Sequence, residues 1–169
     1  MIIRFALALV LVLGAAPSLA AQGAPALATV RALLNATQAI TVFDYVTASA
    51  DGGVITLEGK VTSRAKRSQI ETEVATVPGV RQIVNRVAVL GTSASDDALR
   101  HRVARAIYGH TSFHRYAAMS QPPIRVLVDN GRVTLAGEVT TAVERLVARS
   151  LAEGETKAPV DDRLVVRGK

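Results

Sequence analysis

The sequence has no cysteine and no tryptophan, and only three tyrosines and three phenylalanines among its 169 residues. Without thiols there can be no disulfide, no thiolate metal site, no cysteine nucleophile and no cysteine for a lipoprotein anchor. With aromatics at 4%, an aromatic cage or a sugar-stacking cleft has little to be built from, and any core must come from Val, Leu, Ile and Ala. Acidic residues are the scarcer charge, 14 against 20 Lys and Arg, for a net charge of +6. That balance suits an anionic partner without saying which. Apolar residues at 49% and charged residues at 20% describe a globular chain rather than a disordered one. Recognisable catalytic signatures are missing as well: there is no Gly-x-Ser-x-Gly turn, no Walker loop and no dinucleotide fingerprint. His110 and His114 stand four apart, a metal-ligand spacing on a helix, but no carboxylate lies close in sequence to complete a site. No catalytic residue, metal or cofactor is therefore assigned.

The one long apolar run is Phe5 to Leu13, short of the roughly 20 residues a membrane span needs. Arg4 precedes it, Pro17 follows, and Ser18 and Ala20 occupy the −3 and −1 positions of a signal-peptide cleavage site. Cleavage is expected after Ala20, with Ala26-Leu-Ala28 as a second candidate and a retained anchor helix as the alternative. An exported, cysteine-free, basic chain fits the bacterial periplasm, and export makes nucleic acid a poor candidate partner.

One unit occurs twice. Gly53-Val-Ile-Thr-Leu-Glu-Gly-Lys-Val-Thr62 recurs 78 residues later as Gly131-Arg-Val-Thr-Leu-Ala-Gly-Glu-Val-Thr140. Ile55, Leu57 and Val61 alternate with polar residues, as do Val133, Leu135 and Val139, which predicts strands with one buried face. Asp51-Gly-Gly53 and Asp129-Asn-Gly131 supply residues that tolerate φ > 0, so each strand should close a tight hairpin. Gly59 and Gly137 fall on the inward face and suggest a bulge or close packing of a helix. A helix capped by Ser63 should carry Ile70, Val74 and Val77 inward, and one capped by Thr140 or Thr141 should carry Val143, Val147 and Leu151. A last strand follows in each copy, with Asn85 and Asp162 in matching places. Each of these two residues is expected to bond nearby backbone. A leading helix precedes each unit, from about Leu27 to Gln38 and, capped by Ser95, from Asp96 to Tyr108. The expected fold class is α+β: two α-β-β-α-β units over residues 21–90, with a core from 29, and 96–169, joined by a linker over 91–95 and preceded by the signal segment 1–20.

This arrangement, with Val77-Pro-Gly-Val80 closing the first unit's helix and Ile83-Val-Asn85 opening its last strand, resembles the BON domain, a family named after bacterial osmotically inducible and nodulation proteins. The second copy departs where Glu155-Thr-Lys-Ala158 replaces Val-Pro-Gly-Val, so its C-terminal half reads as degenerate. The resemblance implies a periplasmic or membrane-associated protein linked to osmotic or envelope stress. It also implies binding to phospholipid surfaces, support of outer-membrane integrity in some tandem members, and no shared catalytic residues.

Candidate binding residues follow from charge placement. Arg64, Lys66 and Arg67 crowd the first turn of a helix, where a cation costs about 0.3–1 kcal/mol and backbone N–H groups favour anions; the alternative is a solvated turn with Arg67 paired to Glu71. His101, Arg102 and Arg105 form a basic stripe on the second leading helix. Phe113, Tyr116 and Met119, in the stretch that ends at Pro123, could dip into a headgroup region or tuck onto the domain core. The expected partner is an anionic phospholipid membrane surface, bound peripherally. The alternative is a protein-interaction or chaperone-like module that holds an envelope protein, for example by adding a strand to an exposed sheet edge.

Overall fold

The computed structural model describes residues 19–91, 93–156 and 158–168. The apolar run that reads as a signal segment lies outside them up to residue 18. The expected unit is built twice. In the first, helix α1 (Leu19–Ala36) precedes strands β1 (Tyr45–Asp51) and β2 (Val54–Val61), helix α2 (Arg64–Ala75) and strand β3 (Gln82–Val89). In the second, helix α3 (Ala94–Tyr108), a 3-10 turn at Thr111–Phe113 and the short helix α4 (His114–Ala117) lead into β4 (Ile124–Asp129) and β5 (Arg132–Val139). Helix α5 (Ala142–Thr156) and strand β6 (Asp161–Val166) complete it.

Each sheet has three strands with the second in the middle. The hairpin pairs antiparallel and the strand after the helix returns parallel to its centre, as a crossover helix requires. The turns are as expected: Gly52 and Gly53 lie at φ +53° and +86°, Asn130 and Gly131 at +52° and +74°. Positive φ at both central residues is the hairpin geometry that matches strand twist. Gly59 and Gly137 are required by their neighbouring strand rather than by a helix. At φ +134° and +105°, a Cβ on either would sit 2.0 Å from a carbonyl oxygen, that of Tyr45 or of Pro123. No side chain fits there.

Two separate cores result. Val30, Leu34, Ile55, Leu57, Ile70 and Val74 fill the first, and Val103, Ile107, Phe113, Leu135, Ala148 and Leu164 belong to the second. Of the two expected candidates Thr141 caps α5, accepting from the Glu144 N–H at 3.1 Å. Two details differ from expectation. Ser93, not Ser95, caps α3, accepting from the Asp96 N–H at 3.4 Å. On α5 it is Ala148 and Ala152 that are fully buried while Val143 is 69% exposed. The small alanines let α5 pack close against α3, and that turns the helix so that Val147 and Leu151 are only partly buried. Where the first copy breaks its helix with Pro78 and Gly79, α5 runs on to Thr156, 15 residues against 12 in α2.

Candidate functional site

The basic first turn of α2 divides once its partners are seen. Lys66 reaches the buried carboxylate of Asp44 at 2.5 Å. The same carboxylate accepts from the N–H and hydroxyl of Thr41 and from the N–H and hydroxyl of Thr62. Burial works against ionisation of Asp44, but the bonds from Lys66, Thr41 and Thr62 outweigh it and hold the carboxyl below its ordinary range. Asp44 thus pins the end of β2, through Thr62, and the first turn of α2, through Lys66, to the chain entering β1. Arg67 donates to the Asn85 carbonyl at 3.1 Å, and Asn85 rather than Arg67 pairs with Glu71, at 2.7 Å. Arg64 is exposed and makes no ion pair among the described residues. Asn85 and Asp162 each accept from the N–H two residues on, at 3.1 and 3.0 Å, as an Asx side chain on a strand was expected to do.

On α3, the His101 ring bonds the Asp97 carbonyl and lies 4.8 Å from the Phe43 ring of the first unit. Arg102 faces Glu155 at 3.6 Å, and Arg105 is exposed without an ion pair among the described residues. The stretch after α3 is folded. Phe113 is fully buried and Tyr116 nearly so, both in the second core. In this conformation they serve packing rather than a headgroup layer, because the 3-10 turn and α4 roll their rings inward. Of Phe113, Tyr116 and Met119, only Met119 reaches solvent. Sequence reasoning missed the other large exposed apolar side chains, Val165 on β6 and Val143 and Leu146 one turn apart on α5, the last two at 69% and 66% exposure. A rotated helix face leaves no signal in spacing alone.

The second copy holds the same corner with other groups. Glu144 accepts from the Thr140 N–H at 2.8 Å and from the Tyr116 hydroxyl at 2.8 Å, and pairs with Arg115. Burial pushes the Glu144 carboxyl up, and the bonds from Tyr116, Thr140 and Arg115 pull it below the ordinary value.

The two units meet along the outer edge of β4. Val126 N–H donates to the Val42 carbonyl at 2.8 Å, Arg125 to the Thr41 carbonyl at 2.9 Å, and Gln121 to the Thr37 carbonyl at 3.0 Å. Lys60 pairs with Asp129 at 2.9 Å, and Phe43 packs onto the second core. Leu127 and Ala136, which face away from α3 and α5, are buried without belonging to either core. Arg125 is 8% exposed, and burial pushes its guanidinium pKa down from the usual value. Beside this junction lies a cleft of about 550 Å³ between β1 and the β4–β5 end of the second unit. Its walls include Arg31, Leu34, Val46, Met119, Arg125 and Arg167. A volume of that size is in the range of ligand clefts, roughly 300–1,000 Å³. Among the described residues no group of three His, Asp or Glu side chains is placed to hold a metal, and no helix is long and apolar enough to cross a membrane.

Comparison with known proteins agrees with the duplicated architecture. No curated protein matches the chain. Among solved structures it is similar to CdsD, a structural protein of the type III secretion system of Chlamydia trachomatis, at 14% identity and a TM-score of 0.35. That similarity covers 85% of this chain and 62% of the other. The C-terminal domain of the same protein matches at 13% identity and a TM-score of 0.31, over 72% of this chain and 56% of the other. The chain therefore spans under two thirds of the length of the solved chains it matches. The BON domain model matches residues 25–91 and again 95–168. Each match takes in one α-β-β-α-β unit, the first from within α1, and the chain belongs to the BON domain family as a tandem pair.

Proposed function

We propose that this chain is a non-enzymatic binding protein of the periplasm that associates peripherally with anionic phospholipid surfaces, in envelope maintenance or osmotic stress. Membership of a family of binding domains known for phospholipid binding carries the reading. The placement of charge supports it: Arg64 and Arg105 are exposed cations without carboxylate partners among the described residues, and Arg67 is tied only to a backbone carbonyl. Lys66 leaves the binding set because Asp44 holds it. Each basic residue close to an anionic surface contributes about 1 kcal/mol within a Debye length, so three give a weak, salt-sensitive association. Val143 and Leu146 take over the apolar contribution first sought from Phe113 and Tyr116. The test is co-sedimentation with anionic and neutral vesicles at low and high salt, beside an Arg64→Ser/Arg67→Ser/Arg105→Ser variant. Binding to anionic vesicles alone, lost in salt and in the variant, is expected. Equal binding to neutral vesicles, or none to either, defeats the reading.

A further inference from the structure

The two hairpins share one register but not one edge. In a two-residue hairpin the pair flanking the turn is hydrogen-bonded, so the pair Asp51↔Val54 puts Asp51, Ser49 and Thr47 in the β1–β2 ladder. The N–H and C=O groups of Val46, Ala48 and Ala50 then point away from β2. Three of the matching groups of β4 have partners among the described residues: the Ile124 carbonyl accepts from the Tyr108 hydroxyl, Val126 N–H donates to the Val42 carbonyl, and the Val128 carbonyl accepts from Arg100 at 2.8 Å. On β1 the corresponding Val46 carbonyl, Ala48 N–H and Ala50 carbonyl have none among the described residues; Arg31 alone touches this edge, at the Ala48 carbonyl, 3.3 Å away.

This open edge forms one wall of the 550 Å³ cleft, between Val46 and Ala48. The molecule itself shows what such an edge accepts. Val42–Phe43 docks on β4 from a turn closed by the Asp44 N–H on the Thr41 carbonyl, giving a carbonyl to the strand and a ring to the core behind it. Charge selects further. Arg167 is matched by Glu138 and Asp44 by Lys66, whereas Arg31 and Arg125 have no carboxylate partner within 4 Å among the described residues. We propose that the cleft receives an extended, acidic polypeptide segment from another protein. The segment pairs its backbone with Ala48 N–H and the Val46 carbonyl, sets an apolar side chain against Leu34 and Met119, and brings carboxylates to Arg31 and Arg125. Main-chain bonds supply the affinity and the flanking side chains the selection.

The test is fluorescence anisotropy with the full chain and a labelled Glu-Val-Glu-Phe-Glu-Val-Glu-Val peptide, beside the same peptide with lysine for glutamate. Amide hydrogen exchange of the complex is followed in parallel. Saturable binding of the glutamate peptide, at least tenfold weaker binding of the lysine peptide, and slowed exchange at the Ala48 amide are expected. Ala48→Pro removes the outward N–H and leaves the ladder to β2 intact, so it should weaken binding at least tenfold. Arg31→Glu, at an exposed helix position, should do the same and decides the matter if the proline variant does not fold. The proposal is overturned if the glutamate peptide does not bind, if both peptides bind alike, or if these substitutions leave binding unchanged. It is also overturned if anionic vesicles slow exchange at Ala48 and the peptide does not.

Discussion

Residues 66 and 144 occupy the same place in the two repeats and carry opposite charge. In the first repeat a lysine on the helix meets a buried aspartate from the chain entering β1. In the second a glutamate on the helix meets Arg115 and Tyr116 from α4. The hairpin turns are inverted in the same way. Arg81 donates to the Gly52 carbonyl in the first; the buried Asp96 accepts from the Asn130 and Gly131 N–H groups, at 2.9 and 2.8 Å, in the second. The framework asks only that the orphan backbone groups at each corner find a partner. Either sign of charge serves, provided the residue opposite changes with it. The positions that do not change are Gly59 and Gly137, where the constraint is steric.

The largest expected effect tests that distinction. Gly59→Ala and Gly137→Ala each place a Cβ 2.0 Å from a backbone oxygen at a φ that L-residues avoid, and each should destabilise its repeat by more than about 4 kcal/mol in urea unfolding. Tolerance at one site but not the other would mean that the hairpins are not equivalent.

Next come the corner locks. Asp44→Ala removes a fully buried carboxylate and leaves the partly buried Lys66 ammonium and Thr62 N–H without their acceptor, at a cost of about 3 kcal/mol. Glu144→Ala should cost less, about 1–3 kcal/mol, because Arg115 is half exposed and water can replace the carboxylate. Thermal unfolding of the two variants should rank them in that order; the reverse ranking would break the account of which corner is buried. A smaller effect follows from pH. Both carboxyls are held below their ordinary range in the fold. Each therefore adds stability that is fully present above the unfolded carboxylate pKa, about 4, and is lost as pH falls through the lower folded value. The midpoint of acid unfolding should move to higher pH in Asp44→Asn, and more than in Glu144→Gln.

Much of the fold was legible because its signals are local. Turn glycines, period-two strands and the Asx residues at 85 and 162 each act within a few positions, and the structure places them as read. The site residues were less legible because their partners are distant. Nothing near Lys66 in sequence points to Asp44, 22 residues away. Nothing near Tyr116 shows that its hydroxyl meets Glu144, 28 residues on. The face of α5 was misread for a packing reason, since Ala148 and Ala152 bury well while adding little to an apolar stripe. The capped edge of β4 was hidden too, because Val42 meets Val126 through backbone groups that side-chain patterns do not report.

The central claim is that two hairpins of one register differ in their outer edges, β4 bonded by Val42 of the first repeat and by Arg100 and Tyr108 of α3, and β1 open to the cleft. Amide hydrogen exchange of the unliganded chain compares Ala48 with Val126 directly. The account predicts strong protection at Val126, whose N–H is bonded to Val42, and exchange at Ala48 faster by orders of magnitude. Equal protection at both amides would contradict it.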